Sequence, residues 1–522
     1  MPKANSKTRI NEGSDTLGFE SELWASCNKL RGNMDAAEYK HVILPLISLK
    51  YIFDTFEDTH SILLEEGTDP ESKDEYLKKS EFWIPAGYRS KDLLERAKTP
   101  ASIQPIAEFI DEITDIITSE NPELEKVLIT RFADAELPKG VLREVVEIFS
   151  DLPSFGDSDA RSKDVVGRVY EFLLGKFYAL ERRGGEFFTP RTLVRLLHEI
   201  LQPYQGKIYD GCCGSGGMFI QSPKLIETLT SSEETLIYGQ ESNPKTWRFA
   251  KWNLIFRNIP HDLGNKWEST FTDDLHPELE ADFVIVNPPF NLKEWGWGNM
   301  NQEEHWGGYS IPPKGNANYA WILHYLLKLS KNGLAGIVLS SGSLSSSNKQ
   351  DKAIRKEIIA NDKLDCVIAL PDKLFSNTSL SACVWILAND KKDSSFRNRS
   401  GETLFIDCRK TGEMVSRKQR EFTKEDLNKI SKTYLDWKSK QNHQSYKDEL
   451  GFCKSVTEMD ISEHDGVIVP GRYVGAAPLP EDGEPFEERM ERLTKELGEH
   501  FQESNRLTEE LRGNLGALGF EF

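Results

Sequence analysis

Four consecutive residues, Asn287, Pro288, Pro289 and Phe290, form the part of the sequence best suited to chemistry on an amino group. They directly follow the apolar run 283–286, which predicts a strand. Two prolines end a strand and stiffen the loop, which holds the Asn287 amide and the Pro288 carbonyl in one geometry. Two acceptors that take both N–H bonds of an adenine amino group localise its lone pair toward a methyl donor. Phe290 would stack on a base rotated out of its duplex; the alternative is a simple strand stop.

A second candidate site is the glycine-rich turn 210–217, which follows a short predicted strand and precedes a predicted helix over 218–229. Residues without side chains let the backbone turn tightly and let a ligand approach its amide groups. The spacing matches neither the dinucleotide fingerprint nor the phosphate loop, so a tight turn without a ligand is the alternative. The residues we assign to ligand binding here are Asp210, Gly214, Ser215, Gly216 and Gly217.

Glu241 follows the next predicted strand and is a candidate ligand of a ribose. An acid at this place can accept hydrogen bonds from both hydroxyls of an adenosine moiety. The alternative is a surface glutamate that caps the helix after it.

The elements that must position these residues are predicted by the change of pattern along the chain. From 164 to 407, short β-rich runs alternate with helical stretches, which favours a mostly parallel sheet with helices on both faces. Residues 17–152 carry apolar residues at three- and four-residue steps, which is typical of helices. The Gly-, Asp- and Ser-rich stretch 154–162 between them is interpreted as a linker.

The end of the chain predicts an amphipathic helix over 486–518, because Phe486, Met490, Leu493 and Leu497 follow 4-3-4 spacing. We therefore expect three parts. They are a helical domain at 1–160, an α/β domain at 161–475 and a helical tail at 476–522.

The charge of the chain excludes DNA binding by overall attraction. Among 522 residues, Lys and Arg total 65 and Asp and Glu total 84, which gives a net charge of −19. Any nucleic-acid contact must be a local patch or the contribution of a partner. The cysteines form no C-x-x-C pair, which argues against a zinc site, and no apolar run approaches the roughly 18 residues of a membrane span. We therefore expect a cytoplasmic protein.

Several motifs together resemble one family, the modification (methyltransferase) subunits of type I restriction-modification enzymes, which are amino-directed DNA methyltransferases. The resemblance covers almost the whole chain. It is carried by residues 30–35, 38–40, 185–191, 210–217, 287–290, 316–321 and 470–475. It implies an α/β fold with a Rossmann-like class I methyltransferase sheet, and S-adenosylmethionine as cofactor.

The resemblance also implies a clamp on the methionine end of the cofactor, formed by Glu186, Phe187, Phe188, Thr189, Pro190 and Arg191. From the residues alone, the clamp can equally be read as a helix start, with Thr189 as N-cap and Pro190 as the first helical residue. One departure concerns the adenine ring of the cofactor. Relatives place an acid where this chain has Ser269, so that either Glu268 or Ser269 is expected to make the contact.

The implied reaction is methyl transfer to N6 of a flipped adenine in double-stranded DNA, with no metal and no covalent enzyme intermediate. The implied partners are a specificity subunit, which reads the sequence and binds two modification subunits, and a restriction subunit that can join them. Two other hypotheses stay open. One is a methyltransferase acting on a protein glutamine amide, and the other is a scaffold subunit that has lost catalysis.

Two further segments have open interpretations. The Trp-, Gly- and Asn-rich segment 291–315 either closes over the target strand or is a mobile surface loop. The basic residues near 409–420 either contact phosphate or form an ordinary solvated surface. These are Arg409, Lys410, Arg417, Lys418 and Arg420.

Overall fold

The structure is a computed structural model that divides into two compact units, Met1–Val474 and Gly475–Phe522. It describes residues 23–24, 36–98, 105–128, 132–133, 140–162, 164–180, 189–221, 225, 229, 235–300, 302, 304–375, 381–417, 419–476 and 486–517. No helix within these ranges is both long enough and apolar enough to cross a membrane.

The first part of unit one is helical, as predicted. Its first helix runs unbroken through Pro45, where the sequence suggests a kink or a split, and it continues to Glu65. The helices are α1 (Ala36–Glu65), α2 (Lys73–Lys78), α3 (Ser90–Lys98), α4 (Ile106–Glu120), α5 (Val141–Asp151), α6 (Ser158–Ser162) and α7 (Val165–Leu180).

The second part alternates strands and helices. The helices are α8 (Arg191–Leu201), α9 (Gly217–Ile220), α10 (Pro244–Ile255), α11 (Asn318–Leu327), α12 (Lys349–Ala360), α13 (Lys424–Lys438) and α14 (Glu458–Glu463). The strands are β1 (Gly206–Asp210), β2 (Thr235–Gly239), β3 (His261–Asp262), β4 (Ala281–Val286), β5 (Leu329–Ser340), β6 (Leu364–Ala369), β7 (Ala382–Ala388), β8 (Glu402–Asp407), β9 (Glu413–Met414), β10 (Arg420–Glu421) and β11 (Cys453–Thr457).

Nine strands form one sheet in the order β11-β8-β6-β7-β5-β4-β1-β2-β3, and β9 and β10 form a separate hairpin. Strands β3, β2, β1, β4 and β5 pair in parallel, and β7 runs antiparallel between β5 and β6. Because β8 is parallel to β6, the carboxyl ends of β1, β2, β4, β5, β6 and β8 share one edge. The predicted class I methyltransferase fold is therefore confirmed, together with its helical N-terminal region.

Side chains alternate between two cores on the two faces of the sheet. In β7, Val384 and Ile386 belong to the core that contains α8 and α13, whereas Cys383 and Trp385 face the core that contains α11 and α12. The period of two in a strand explains this division, and it fixes the register of every strand between the two helical layers.

Helix α10 connects the sheet to the N-terminal helices. One of its faces, with Trp247 and Leu254, lies in a core of the sheet, and the other, with Phe249 and Trp252, lies in the core of the N-terminal helices. The stretch 154–162, predicted as a linker, also packs: Phe155 is buried and its N–H donates to Asp54 at 2.7 Å. The linker interpretation is wrong, because these residues complete the core beside α1.

Unit two is the C-terminal part of the chain, Gly475–Phe522. It contains α15 (Phe486–Ala517), which confirms the predicted helical tail.

A buried ion cluster lies at the junction that α10 makes with α7. The Arg257 guanidinium contacts the Glu171 carboxylate at 2.9 Å and the Asp164 carboxylate at 2.8 Å. Gly167 leaves the space that Arg257 fills, since a Cβ there would lie 2.3 Å from its Nη2 atom. The charge is thus paired within a buried junction, where an unpaired ion would be costly.

We predict that Arg257→Met lowers the free energy of unfolding by about 3–5 kcal/mol, because it leaves the buried Glu171 carboxylate paired only with Arg191, whose side chain is half exposed. Urea unfolding followed by tryptophan fluorescence measures the change. Lys79→Met is the control, because Lys79 pairs with Glu66 on the surface, where both side chains are exposed, and its loss should change stability little. Equal effects of the two substitutions would contradict the role of the cluster.

Candidate functional site

Most of the predicted site residues that the structure describes meet in a cleft at the carboxyl ends of β1, β2 and β4, three neighbouring strands of the parallel part of the sheet. This is the edge where α/β sheets bind ligands. The cleft has a volume of about 180 Å³. Its lining includes Thr189, Asp210, Gly214, Ser215, Gly217, Gln221, Glu241, Glu268, Ser269, Phe271, Asn287, Pro288, Pro289, Phe290 and Trp321.

The glycine-rich turn forms one wall of this cleft. The Asn253 side chain on α10 donates a 2.7 Å hydrogen bond to the Ser215 carbonyl, and Arg257 holds the Asn253 oxygen at 3.2 Å. Gly216 does not line the cleft. It has φ +81°, and a Cβ there would meet the backbone of Ala250 at 3.6 Å, so this glycine serves the turn and its packing on α10.

Glu241 lies beside that turn and does not cap the following helix. Its carboxylate accepts the Gly214 N–H at 3.1 Å and the Asn243 N–H at 2.7 Å. Asn243 is the N-cap of α10, with its side chain accepting from Lys245 and Thr246. The carboxylate is therefore fixed at the mouth of the turn, where a diol can reach it.

Asp210 is buried at the end of β1 and accepts the Cys212 N–H at 2.9 Å. Burial raises the pKa of this carboxyl to about 7. Burial also raises the pKa of both Cys212 and Cys213 well above the usual value, so both thiols stay protonated.

The segment after β3 forms the wall next to Glu241. Both candidates for an adenine contact, Glu268 and Ser269, line the cleft, and the Glu268 N–H donates to the Glu241 carbonyl at 3.0 Å. The fully buried Gln240 fixes this segment, because its amide donates to the carbonyls of Glu268 and Asp273 and accepts the N–H of Leu275. Sequence reasoning missed Gln240, whose only signal was its position at a strand end.

The Asn287 side chain is oriented by Thr189. Its Nδ2 atom donates to the Thr189 hydroxyl oxygen at 2.9 Å, and its buried Oδ1 atom finds no hydrogen-bond partner within the described ranges. Thr189 is not the N-cap of α8, as the alternative interpretation expected. Pro190 occupies that position, and the helix begins at Arg191. The threonine hydroxyl accepts from the Asn287 amide in the loop after β4 instead.

The other residues of the predicted clamp either lie outside the described residues or do not line the cleft. Glu186, Phe187 and Phe188 lie outside the described residues. Pro190 and Arg191 do not line the cleft, and the Arg191 guanidinium contacts Glu171 at 2.7 Å. Of the clamp residues that the structure describes, only Thr189 reaches the cleft.

Gln221 is a cleft residue without a signal in the sequence. Its side chain is 7% exposed, and neither atom of its amide has a hydrogen-bond partner among the residues described. A buried amide with one free donor and one free acceptor suits a ligand that carries both an amino group and a carboxylate.

The aromatic residues of the tryptophan-rich segment 291–315 are packed, which argues against the mobile surface loop. Trp295 and Trp306 are buried, and the Trp295 indole N–H donates to the Lys314 carbonyl at 3.0 Å. The Trp295 ring contacts Phe271 with centroids 4.9 Å apart. The segment therefore supports a wall of the cleft.

The residues present fit S-adenosylmethionine on the evidence of their own chemistry. The buried Gln221 amide carries two unpaired atoms, a carboxylate is fixed beside a glycine turn, and Phe271 adds an apolar surface. An amino-acid end, a ribose and a base each find a complementary group in this set.

Two family models match the chain. One, described as N-6 DNA Methylase, matches residues 161–482, and one described as HsdM N-terminal domain matches residues 19–149.

Individual relatives agree with these matches. The type I restriction enzyme HindI methylase subunit of Haemophilus influenzae is 40% identical, over 80% of this chain and 93% of its own. The type I restriction enzyme MjaIX methylase subunit of Methanocaldococcus jannaschii is 34% identical, over 97% of this chain and 92% of its own. The crystal structure of a type I restriction-modification system methyltransferase subunit from Streptococcus thermophilus is similar with a TM-score of 0.70, at 25% identity, over 87% and 99%.

We predict that Asp210 makes the protein without cofactor less stable as the pH rises. Its folded pKa of about 7 lies above the usual 3.8, so its stabilisation is complete below about pH 4 and is lost through pH 7. The loss reaches about 4 kcal/mol at most. The free energy of unfolding, measured by urea at pH 5 and pH 8, should differ less between the two pH values for Asp210→Asn than for the unchanged protein. Identical differences would show that Asp210 ionises normally.

Proposed function

The chain belongs to the N-6 DNA methylase family, among the methylase subunits of type I restriction enzymes, and we propose that it methylates N6 of adenine in double-stranded DNA with S-adenosylmethionine. The adenine is flipped out of the duplex into the cleft, because a paired base could not reach Asn287 at the sheet edge. The proposed setting is the cytoplasm.

The observation that carries this proposal is the unpaired Oδ1 atom of Asn287. Thr189 takes the Nδ2 side of the amide, so the oxygen is left as an acceptor beside the cleft. This oxygen and the Pro288 carbonyl accept the two N–H bonds of the adenine amino group. The nitrogen lone pair is then withdrawn from the ring and directed at the methyl carbon. Phe290 stacks on the flipped base.

When bound, S-adenosylmethionine supplies an electrophilic methyl group on a sulfonium sulfur. Glu241 holds the ribose hydroxyls, and Glu268 or Ser269 contacts the adenine ring from the neighbouring wall. Thr189 and Gln221 hold the amino-acid end. The Asp210 carboxylate favours positive charge in the cleft, and the turn at Gly214, Ser215 and Gly217 lets the backbone approach closely.

The proposed assembly contains two copies of this chain and one specificity subunit, which a restriction subunit can join. The net charge of −19 supports it, because long-range repulsion of DNA favours binding through a partner chain. The proposed parts are the helical domain 1–160, the methyltransferase domain 161–475 and the tail 476–522, of which the tail corresponds closely to the second compact unit.

The proposal is tested by co-expressing the chain with its specificity subunit and supplying tritiated S-adenosylmethionine and duplex DNA. Label in DNA, recovered as N6-methyladenine after digestion to nucleosides, is the expected result. Label in protein glutamine would favour the alternative substrate. No label together with no cofactor binding by calorimetry would indicate a scaffold, and either result would overturn the proposal.

We predict that Asn287→Ala lowers methyl transfer by a factor of about 100 or more while cofactor affinity stays within a few fold. The acceptor acts mainly in the transition state, so its loss affects kcat more than binding. Single-turnover kinetics and calorimetry measure the two quantities. An equal loss of affinity and rate would contradict this role.

Thr189 provides the matched control for that variant. Thr189→Ser keeps the hydroxyl that accepts from Nδ2 and should retain most activity, whereas Thr189→Val removes it and should lower kcat without unfolding the protein.

We predict that removal of the tail breaks assembly more than it damages the catalytic fold. The basis is the apolar stripe of Met490, Leu493 and Leu497 on α15, which requires an apolar surface to cover it. A chain that ends at Pro485 should melt cooperatively, respond to S-adenosylmethionine, and fail to co-elute with the specificity subunit in gel filtration. Unchanged co-elution, or loss of cooperative melting, would reject the assembly role.

A further inference from the structure

A basic segment, which we call the β8 extension, follows β8 over residues 408–421 and contains the hairpin of β9 and β10. Five of its fourteen residues are Lys or Arg and two are Glu, in a chain whose net charge is −19. Such a local excess of positive charge is unusual on an acidic protein.

The β8 extension lies at the catalytic edge of the sheet. It begins where β8 ends, and the carboxyl end of β8 shares its edge with those of β1 and β4. Strand β8 is four positions from β4, which carries Asn287 at its end. At about 4.8 Å per strand, β8 and β4 are roughly 19 Å apart. The β8 extension is thus within reach of a DNA backbone whose flipped base occupies the cleft.

A chain of contacts connects the β8 extension with the proposed catalytic loop. The Arg420 N–H donates to the Lys373 carbonyl at 2.9 Å, in the loop that follows β6. In the same loop, the Phe375 ring contacts the Phe290 ring with centroids 5.9 Å apart. The basic segment is therefore joined to Phe290 through the loop that follows β6, on the side away from the glycine turn.

Two of the basic residues are used within the fold. Arg409 pairs with Asp407 at 2.6 Å, and Arg420 donates to the carbonyls of Thr411 and Gly412. Lys410 and Arg417 are exposed, and neither makes an ion pair with another residue that the structure describes. These two cations are available to a ligand.

The motif at 470–475 adds a third cation to this surface. Gly471 lies against Arg409, and a Cβ there would be 2.2 Å from its Nη2 atom, so the glycine allows the close approach. Arg472 next to it is exposed. Its neighbour Tyr473 stacks on Phe405 of β8 at 4.2 Å, which fixes the motif on the same strand as the β8 extension.

We propose that Lys410, Arg417 and Arg472 form a DNA contact surface that binds backbone phosphates beside the flipped adenine. This inference rests on the proposed function. The surface carries no sequence information, because phosphates are the same at every base pair. It positions the duplex so that the target base faces Asn287, while the specificity subunit reads base edges.

The test uses the complex of the chain with its specificity subunit and compares two double variants with the same change of charge. Lys410→Glu with Arg417→Glu reverses the proposed surface. Lys207→Glu with Lys331→Glu is the control, because these exposed lysines lie at the amino ends of β1 and β5, the opposite edge of the sheet. Fluorescence anisotropy with a duplex containing the recognition site measures affinity from 50 to 300 mM salt.

The variant with reversed charges at Lys410 and Arg417 should bind DNA at least about tenfold more weakly at 100 mM salt. It should also reduce the slope of log K against log salt by about 0.9 for each lost phosphate contact, or about 2 for each copy of the chain. The KM for DNA should rise, while cofactor affinity and kcat at saturating DNA stay unchanged. The control should retain the original slope.

Equal slopes of log K against log salt for the two double variants would overturn the proposed contact surface. Thermal melting and gel filtration show whether each variant folds and assembles, and Lys410→Gln with Arg417→Gln replaces any reversed variant that does not. The milder variant should still lose about 2 from the slope for each copy. If the unchanged complex binds DNA and methylates no adenine, the proposed function fails independently of this result.

Discussion

The buried guanidinium of Arg257 joins the parts of the protein that make the cleft. Through Asn253 it fixes the Ser215 carbonyl in the glycine turn, and through Glu171 it shares a carboxylate with Arg191, two residues after Thr189. The two walls of the cleft therefore meet at one carboxylate on helix α7, which lies within the residues matched by the methylase family model. Helix α7 also packs in the core of the N-terminal helices, so the sheet and the helical region are joined through a shared core.

The sequence was most informative where a short motif follows a strand. Parallel topology brings all carboxyl ends to one edge, so Asp210, Glu241 and Asn287 could be expected to meet although they are far apart in the chain. It was least informative where a side chain's partner comes from another segment. Nothing local to Thr189 indicated that its hydroxyl would accept from Asn287, and helix-capping rules placed the helix start one residue too early.

Composition was misleading where packing decides the outcome. The stretch 154–162 has the residues of a linker, and the segment 291–315 has those of a mobile loop, yet each buries aromatic side chains against a neighbouring element. Burial of a single Phe or Trp contributes roughly 1.5–3 kcal/mol, which is comparable with the cost of ordering one or two backbone residues. Each buried aromatic residue can therefore anchor the segment locally, although the other residues of that segment favour a loop.

The acidity of the chain and the chemistry of its cleft are compatible because they act over different distances. A net charge of −19 repels DNA at long range, but at 0.15 M salt the field between exposed charges decays over about 8 Å. Inside that distance, the exposed cations of the catalytic edge decide the local potential. In the proposed assembly, a partner that holds DNA by its base edges supplies the approach, and Lys410, Arg417 and Arg472 would then act on a duplex already in place. The acidic surface elsewhere would limit unproductive binding, so the charge that weakens DNA binding by the isolated chain would favour methylation at sites selected by the partner.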